Sequence, residues 1–109
     1  MANRVIFKGD REAAPAWRVR VDDKFLRSIS PLNLHRDIVN HSPDGFAWGY
    51  EGSGPAQLAF AILMYVLGDK DKVSRLYQAF KRDVIARFTE NTWELTDVEV
   101  LEWVDRQRT

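Results

Sequence analysis

Alternation is the clearest local signal in the chain. Trp17, Val19 and Val21 interleave with Arg18 and Arg20. A period of two puts the apolar set on one face of a strand and the arginines on the other. Upstream, Val5, Ile6, Phe7 and Lys8 form a β-branched and aromatic run that reads as a first strand, ended by Gly9 and Asp10. Residues 11–16 connect the two. Asp22, Asp23 and Lys24 read as a turn, and Phe25, Leu26 and Arg27 as a short return strand. The first quarter is thus predicted to be a small antiparallel meander. Residues 28–41 show no clear period. Leu32, Leu34, Ile38 and Val39 supply apolar anchors, and a loop with a short helix over 34–40 is expected there. Residues 42–45, Ser-Pro-Asp-Gly, form a turn, because proline presets φ and glycine tolerates φ > 0. Phe46, Trp48 and Tyr50 then alternate with Ala47 and Gly49, the pattern of a strand on a crowded face.

The pattern changes after Pro55. Residues 56–67 are apolar on every side apart from Gln57 and Tyr65. A helix that is apolar all round is buried all round. Pro55 suits its first turn, Ser53 or Gly54 is the expected cap, and Gly68 ends it. After a charged loop over 69–72, Val73, Leu76, Tyr77, Phe80, Val84, Ile85 and Phe88 recur at helical spacing, with Arg75, Gln78, Ala79, Arg82 and Ala86 opposite. Trp93, Glu94 and Leu95 suggest a last strand. Thr96 and Glu99 make a capping-box pattern ahead of a short helix carrying Val98, Leu101, Trp103 and Val104, and residues 106–109 a polar tail. The expected fold is α+β: a small antiparallel sheet packed on a buried central helix, plus an amphipathic helix and a short C-terminal helix. Residues 1–109 read as a single domain.

Composition supports a packed chain. With 45% apolar and 29% charged residues it resembles an ordinary globular protein rather than a disordered one. There are no cysteines, so disulfides, thiolate metal sites and a cysteine nucleophile are excluded. The longest apolar run, residues 58–67, is half of what a membrane span requires, and the first residues lack the apolar stretch of a signal peptide. The expected compartment is the cytoplasm of a bacterial host cell. Net charge is zero but unevenly spread. Residues 1–36 hold eight Lys/Arg against four Asp/Glu, and residues 37–109 hold eight against twelve. Glu90, Glu94, Asp97, Glu99, Glu102 and Asp105 follow one another with no base until Arg106. Glu99, Glu102 and Asp105 lie three apart, which makes a ridge on a helix and a candidate docking surface for a protein partner. The overall balance argues against nucleic-acid binding.

Candidate chemistry concentrates before the buried helix. A strand that enters a helix through Gly52, Ser53 and Gly54 could present backbone N–H groups and the Ser53 hydroxyl to an anion. Neither a Walker lysine nor a G-x-G-x-x-G spacing accompanies it, and Pro55 removes one donor. Trp48 and Tyr50, two apart, could form a stacking platform, and Gln57 could recognise a ligand or pair with the backbone of the turn. His35 and His41, with Asp37 and Asp44, do not have a zinc spacing. Ser42 beside His41 would point to the opposite face of an extended chain, so the two do not make a nucleophile and base. No catalytic set, metal or cofactor is implied.

Several segments together resemble a known family. They are His41-Ser42-Pro43, Gly45-Phe46, Trp48-Gly49-Tyr50, Gly52-Ser53-Gly54-Pro55 and Gln57-Leu58-Ala59, joined later by Phe80-Lys81, Trp93-Glu94-Leu95 and Trp103. The chain is similar there to domain of unknown function 6166, small proteins of bacteria, phages and mobile elements. The resemblance implies no established activity. It points to a non-enzymatic phage or mobile-element protein that works through protein–protein contacts, such as an inhibitor of a bacterial defence system of the anti-CRISPR kind. The alternative is a small-ligand or nucleotide-binding module that uses the glycine-rich turn.

Overall fold

The structure is a computed structural model that describes residues 4–12, 17–35 and 45–107. Four strands form one antiparallel sheet in the order β3-β2-β1-β4: β1 is Val5–Asp10, β2 Arg18–Asp23, β3 Ser28–Pro31 and β4 Thr92–Thr96. The register pairs Phe7 with Val21 and Leu95, and Gly9 with Val19 and Trp93. These residues all lie on the inner face, as the period of two requires. Val19 and Val21 are buried while Arg18 and Arg20 are exposed. The expected alternation therefore holds on β2, although Trp17 itself precedes the strand with a left-handed φ of 62°.

Three helices cover the inner face. α1 (Ser53–Leu67) packs its Tyr65 edge-on against Phe7 of the sheet, at 5.6 Å between ring centroids. Its Phe60 meets Tyr77 of α2 (Lys70–Asp83) at 5.3 Å. α3 (Asp97–Arg106) closes the core through Trp103, which packs edge-on against Phe80 and donates its indole N–H to Asp83 Oδ2 at 3.0 Å. With neighbours on more than one side, α1 is buried at every position from 54 to 63. Val66, expected to be inaccessible, is only half-buried near the helix end. Gly68 ends α1 in the left-handed conformation (φ 67°) and donates its N–H to the Met64 carbonyl. Thr96 and Glu99 form the expected capping box, with both reciprocal hydrogen bonds present.

Several boundaries differ from the sequence reading, each for a local reason. β1 runs on through Gly9 and Asp10, because Gly9 has a cross-strand role: a Cβ there would lie 2.2 Å from the Trp93 indole. Residues 25–27 are not a return strand. Asp23 Oδ1 accepts the Leu26 N–H at 3.0 Å and Arg27 adopts φ 55°, so residues 24–27 form the turn and the strand begins at Ser28. Residues 46–50 are not a strand either, since Gly49 bends the chain at φ 86° and donates its N–H to the Ile85 carbonyl at 3.1 Å. α1 begins at Ser53 with Gly52 as its cap, earlier than the expected residue 56 and without a side-chain cap bond. The supposed loop at 69–72 is the first turn of α2, because Asp69 accepts the N–H groups of Asp71 and Lys72. α2 ends at Asp83, and the remaining apolar positions continue on a short 3-10 turn, Ile85–Arg87. The helix expected over 34–40 and the turn expected over 42–45 fall largely outside the described residues.

Candidate functional site

The glycine-rich turn does stand at the N-terminus of α1, and it is filled by the protein's own atoms. A Cβ on Gly54 would lie 2.6 Å from the Ala47 Cβ and 3.1 Å from the Ala47 nitrogen, so the glycine lets two backbone segments touch. Gly52 has an extended φ of −161° and lies under the Tyr50 ring, which a Cβ there would meet at 2.5 Å. Ser53 is exposed at the first position of the helix, and Gly52, not Ser53, is the cap. Gln57 is fully buried, but its Nε2 donates to the Leu34 carbonyl at 2.6 Å rather than to the turn, so it ties α1 to the segment after β3.

The stacking platform expected of Trp48 and Tyr50 does not form. The bend at Gly49 sends Trp48 inward and Tyr50 outward, leaving the indole 1% and the phenol 51% exposed. Trp48 instead sits inside an aromatic row. It meets Trp17 edge-on at 4.8 Å and Trp93 at 5.5 Å, Phe88 stacks on Trp93 at 4.5 Å, and the Arg11 guanidinium covers Trp17 at 4.2 Å. The Trp48 indole N–H is spent on the Glu90 carbonyl at 3.3 Å.

The surface that stands out lies elsewhere, at the β2–β3 hairpin. Phe25, Leu26 and Ile29 are 74%, 64% and 64% exposed, whereas the other large apolar side chains among the described residues are mostly buried or half-buried. Arg4 lies over the Phe25 ring at 5.8 Å and its N–H donates to Asp97 Oδ1 at 3.2 Å, so the hairpin adjoins the start of α3. Exposed Lys24 and Arg27 flank the two tip residues. The nearby carboxylates are already engaged. Asp22 accepts from Lys24 Nζ at 3.1 Å and lies 3.7 Å from Lys8 Nζ. Asp23 accepts the Tyr65 hydroxyl at 2.6 Å and the Leu26 N–H at 3.0 Å.

The Asp23–Tyr65 bond is what fixes the hairpin on the central helix. The donated hydroxyl and the Leu26 N–H hold the Asp23 carboxyl below its ordinary pKa, against the opposing effect of burial. Burial, helped by the neighbouring carboxylate, pushes the Tyr65 phenol up to about 12. Tyr65→Phe is expected to lower stability by about 1 kcal/mol, less than is usual for a bond to a charged group, because the tyrosine is 38% exposed. The pH dependence has a definite sign. The Asp23 contribution is fully present above the unfolded carboxyl pKa and is lost as pH falls through its lower folded value. The Tyr65 contribution is present below the unfolded phenol pKa and is lost as pH rises from there through about 12. Urea melts of wild type and Tyr65→Phe should therefore differ most between these limits, with the gap closing at both ends.

Glu99, Glu102 and Asp105 are all exposed along α3. Leu101 is 43% exposed among them, while Val100, Trp103 and Val104 are buried. Glu99 is committed to the capping box. On the outer face of the sheet, Lys8, Asp10, Arg20, Thr92 and Glu94 border an open groove of about 230 Å³. It carries both signs of charge and no convergent set of donors. Among the described residues, no group of three or more His, Asp or Glu side chains is placed to hold a metal ion, and no helix is long and apolar enough to cross a membrane. The hairpin was missed in the sequence because Phe25 and Leu26 read as strand core. The available signal was their position inside Asp-Asp-Lys-Phe-Leu-Arg, where polar turn formers surround both.

Neither the curated proteins nor the solved structures offer a match to the chain. A family does: residues 7–106 match the Family of unknown function (DUF6166), which takes in β1 from Phe7 onward, β2 to β4, α1 to α3 and the glycine-rich turn. The chain belongs to that family.

Proposed function

We propose that the chain is a non-enzymatic protein that works through protein–protein contact, with the β2–β3 hairpin as its contact surface. One observation carries the reading: Phe25, Leu26 and Ile29 stand exposed together on a single hairpin. Three large apolar side chains held in water by an ordered turn cost hydration free energy, and such patches mark interaction sites. The turn that presents them is not slack, since Asp23 and Tyr65 clamp it to the buried helix. The resemblance to a family found in phages and mobile elements makes a bacterial defence complex the first partner to test. The glycine-rich turn gives the ligand-binding alternative little support, because Trp48, Gly54 and Gln57 are engaged in packing or hydrogen bonding within the chain.

The test compares wild type with Phe25→Ser/Leu26→Ser/Ile29→Thr in affinity capture from a bacterial host lysate. The variant should keep its melting temperature within a few degrees, since exposed positions contribute about 0.5 kcal/mol or less each. It should lose most of the captured partner, as apolar anchors dominate contact energetics. Capture that is undiminished by the triple substitution in a folded variant overturns the reading.

A further inference from the structure

We infer that the hairpin docks on a second copy of the chain, on the exposed face of α3 that holds Leu101, Glu102 and Asp105. The inference rests on the reading of the hairpin as a contact surface and names its occupant. Two observations meet in it. The first is the charge around each exposed apolar site. Lys24, Arg27 and Arg4 border the exposed side chains of the hairpin, Arg4 over the Phe25 ring, while Asp22 engages Lys24 at 3.1 Å and Asp23 is engaged by Tyr65. Residues 90–105 contain six carboxylates and no Lys or Arg. Exposed Leu101 is followed on α3 by exposed Glu102 and Asp105, with Arg106 closing the row. The molecule thus carries an apolar hairpin with Arg4 and Arg27 at its rim and an exposed leucine with acidic neighbours. Each has the polarity the other lacks. Net charge is zero, so no long-range repulsion keeps two copies apart.

The second observation is how β3 treats its open edge. The Leu32 N–H donates to the Val19 carbonyl at 3.0 Å, so residues 28, 30 and 32 direct their backbone groups toward β2. Ile29 and Pro31 then face the open edge of the sheet, and Pro31 has no N–H to offer. This leaves Ile29 as the single outward donor of the strand, and such an edge is blunted against strand addition. The exposed groups of the hairpin must therefore make contact through side chains, which suits a helix surface rather than another strand. Arg4 places the two surfaces at one corner, since it reaches both Asp97 at the start of α3 and Phe25. A two-fold axis near that corner sets each hairpin on the helix of the other copy and closes the pair as a dimer.

Sedimentation equilibrium of the full chain tests this with a charge exchange. Wild type should show a concentration-dependent monomer–dimer equilibrium that weakens with added salt. Arg27→Glu alone and Glu102→Arg alone should each raise the dimer dissociation constant about tenfold or more. An equimolar mixture of the two variants restores opposite charges at both contacts, and should recover wild-type association to within about threefold. The chain carrying both substitutions should do the same. Melting curves confirm that each variant is folded. A wild type that stays monomeric up to about 1 mM overturns the inference. So does a dimer indifferent to both single reversals, or a mixture that fails to recover. A monomer that floats with phosphatidylglycerol vesicles but not phosphatidylcholine ones also overturns it, and assigns the hairpin to anionic lipid. If the chain is monomeric and the triple hairpin variant still loses host capture, this inference fails while the broader reading stands.

Discussion

Leu63→Ala is expected to lower the unfolding free energy by about 2–5 kcal/mol, because a fully buried leucine leaves a cavity that its surroundings cannot close. Leu63 has no accessible surface and lies on the helix that has the sheet on one side and α2 on another. Its neighbours along α1, Ala59 and Ile62, are equally inaccessible. A surface helix can relax into a truncation by shifting as a body. α1 is hemmed in at both ends as well as along its sides. Gly54 touches Ala47 at the start, and Tyr65 holds the buried Asp23 near the finish. Urea denaturation would read the loss as a lower midpoint at unchanged slope. A loss below about 0.5 kcal/mol would mean that α1 is not the centre of the core.

That centrality was legible in the sequence, because a run between Pro55 and Gly68 that is apolar apart from Gln57 and Tyr65 has few alternatives. So were the face of β2, from its strict alternation, and the start of α3, from Thr96 and Glu99. Each of these is a local rule with its partners within a few residues. The errors came where a distant group decides the local conformation. Residues 25–27 are the local exception: Phe25 and Leu26 have strand propensity, yet the Asp23 carboxylate, three residues before Leu26, captures its N–H and makes a turn of them. Phe46 to Tyr50 alternate as a strand would, but the Ile85 carbonyl fixes Gly49 in a bend. Gln57 finds its acceptor at Leu34, 23 residues away, and no spacing rule indicates that pairing. The candidate site suffered from a related ambiguity. Apolar letters predict burial, so an apolar pair held in solvent by a turn looks the same in sequence as one in the core.

Trp48→Ala should be as damaging as any single change in the chain, at about 3–5 kcal/mol, whereas Tyr50→Ala should cost about 0.5 kcal/mol or less. The two positions were paired in the sequence as one stacking surface, and the contrast separates that reading from the structure. Trp48 is the middle of the row Trp17–Trp48–Trp93, so its loss removes two edge-to-face contacts as well as its own buried area. It also strips the Glu90 carbonyl of a donor. The damage should spread, because Trp93 is held between Trp48 and Phe88 and lies over Gly9, where no side chain can fill in. Tyr50 lies over Gly52, with half its surface already in water. Chemical denaturation of the two variants gives the comparison, and tryptophan fluorescence of Trp48→Ala reports whether the remaining indoles become solvated. Equal and small losses at both positions would restore the platform. A large loss at Trp48 alone makes the segment before α1 a packing device, in which a bend at Gly49 turns one aromatic residue into core and leaves the next on the surface.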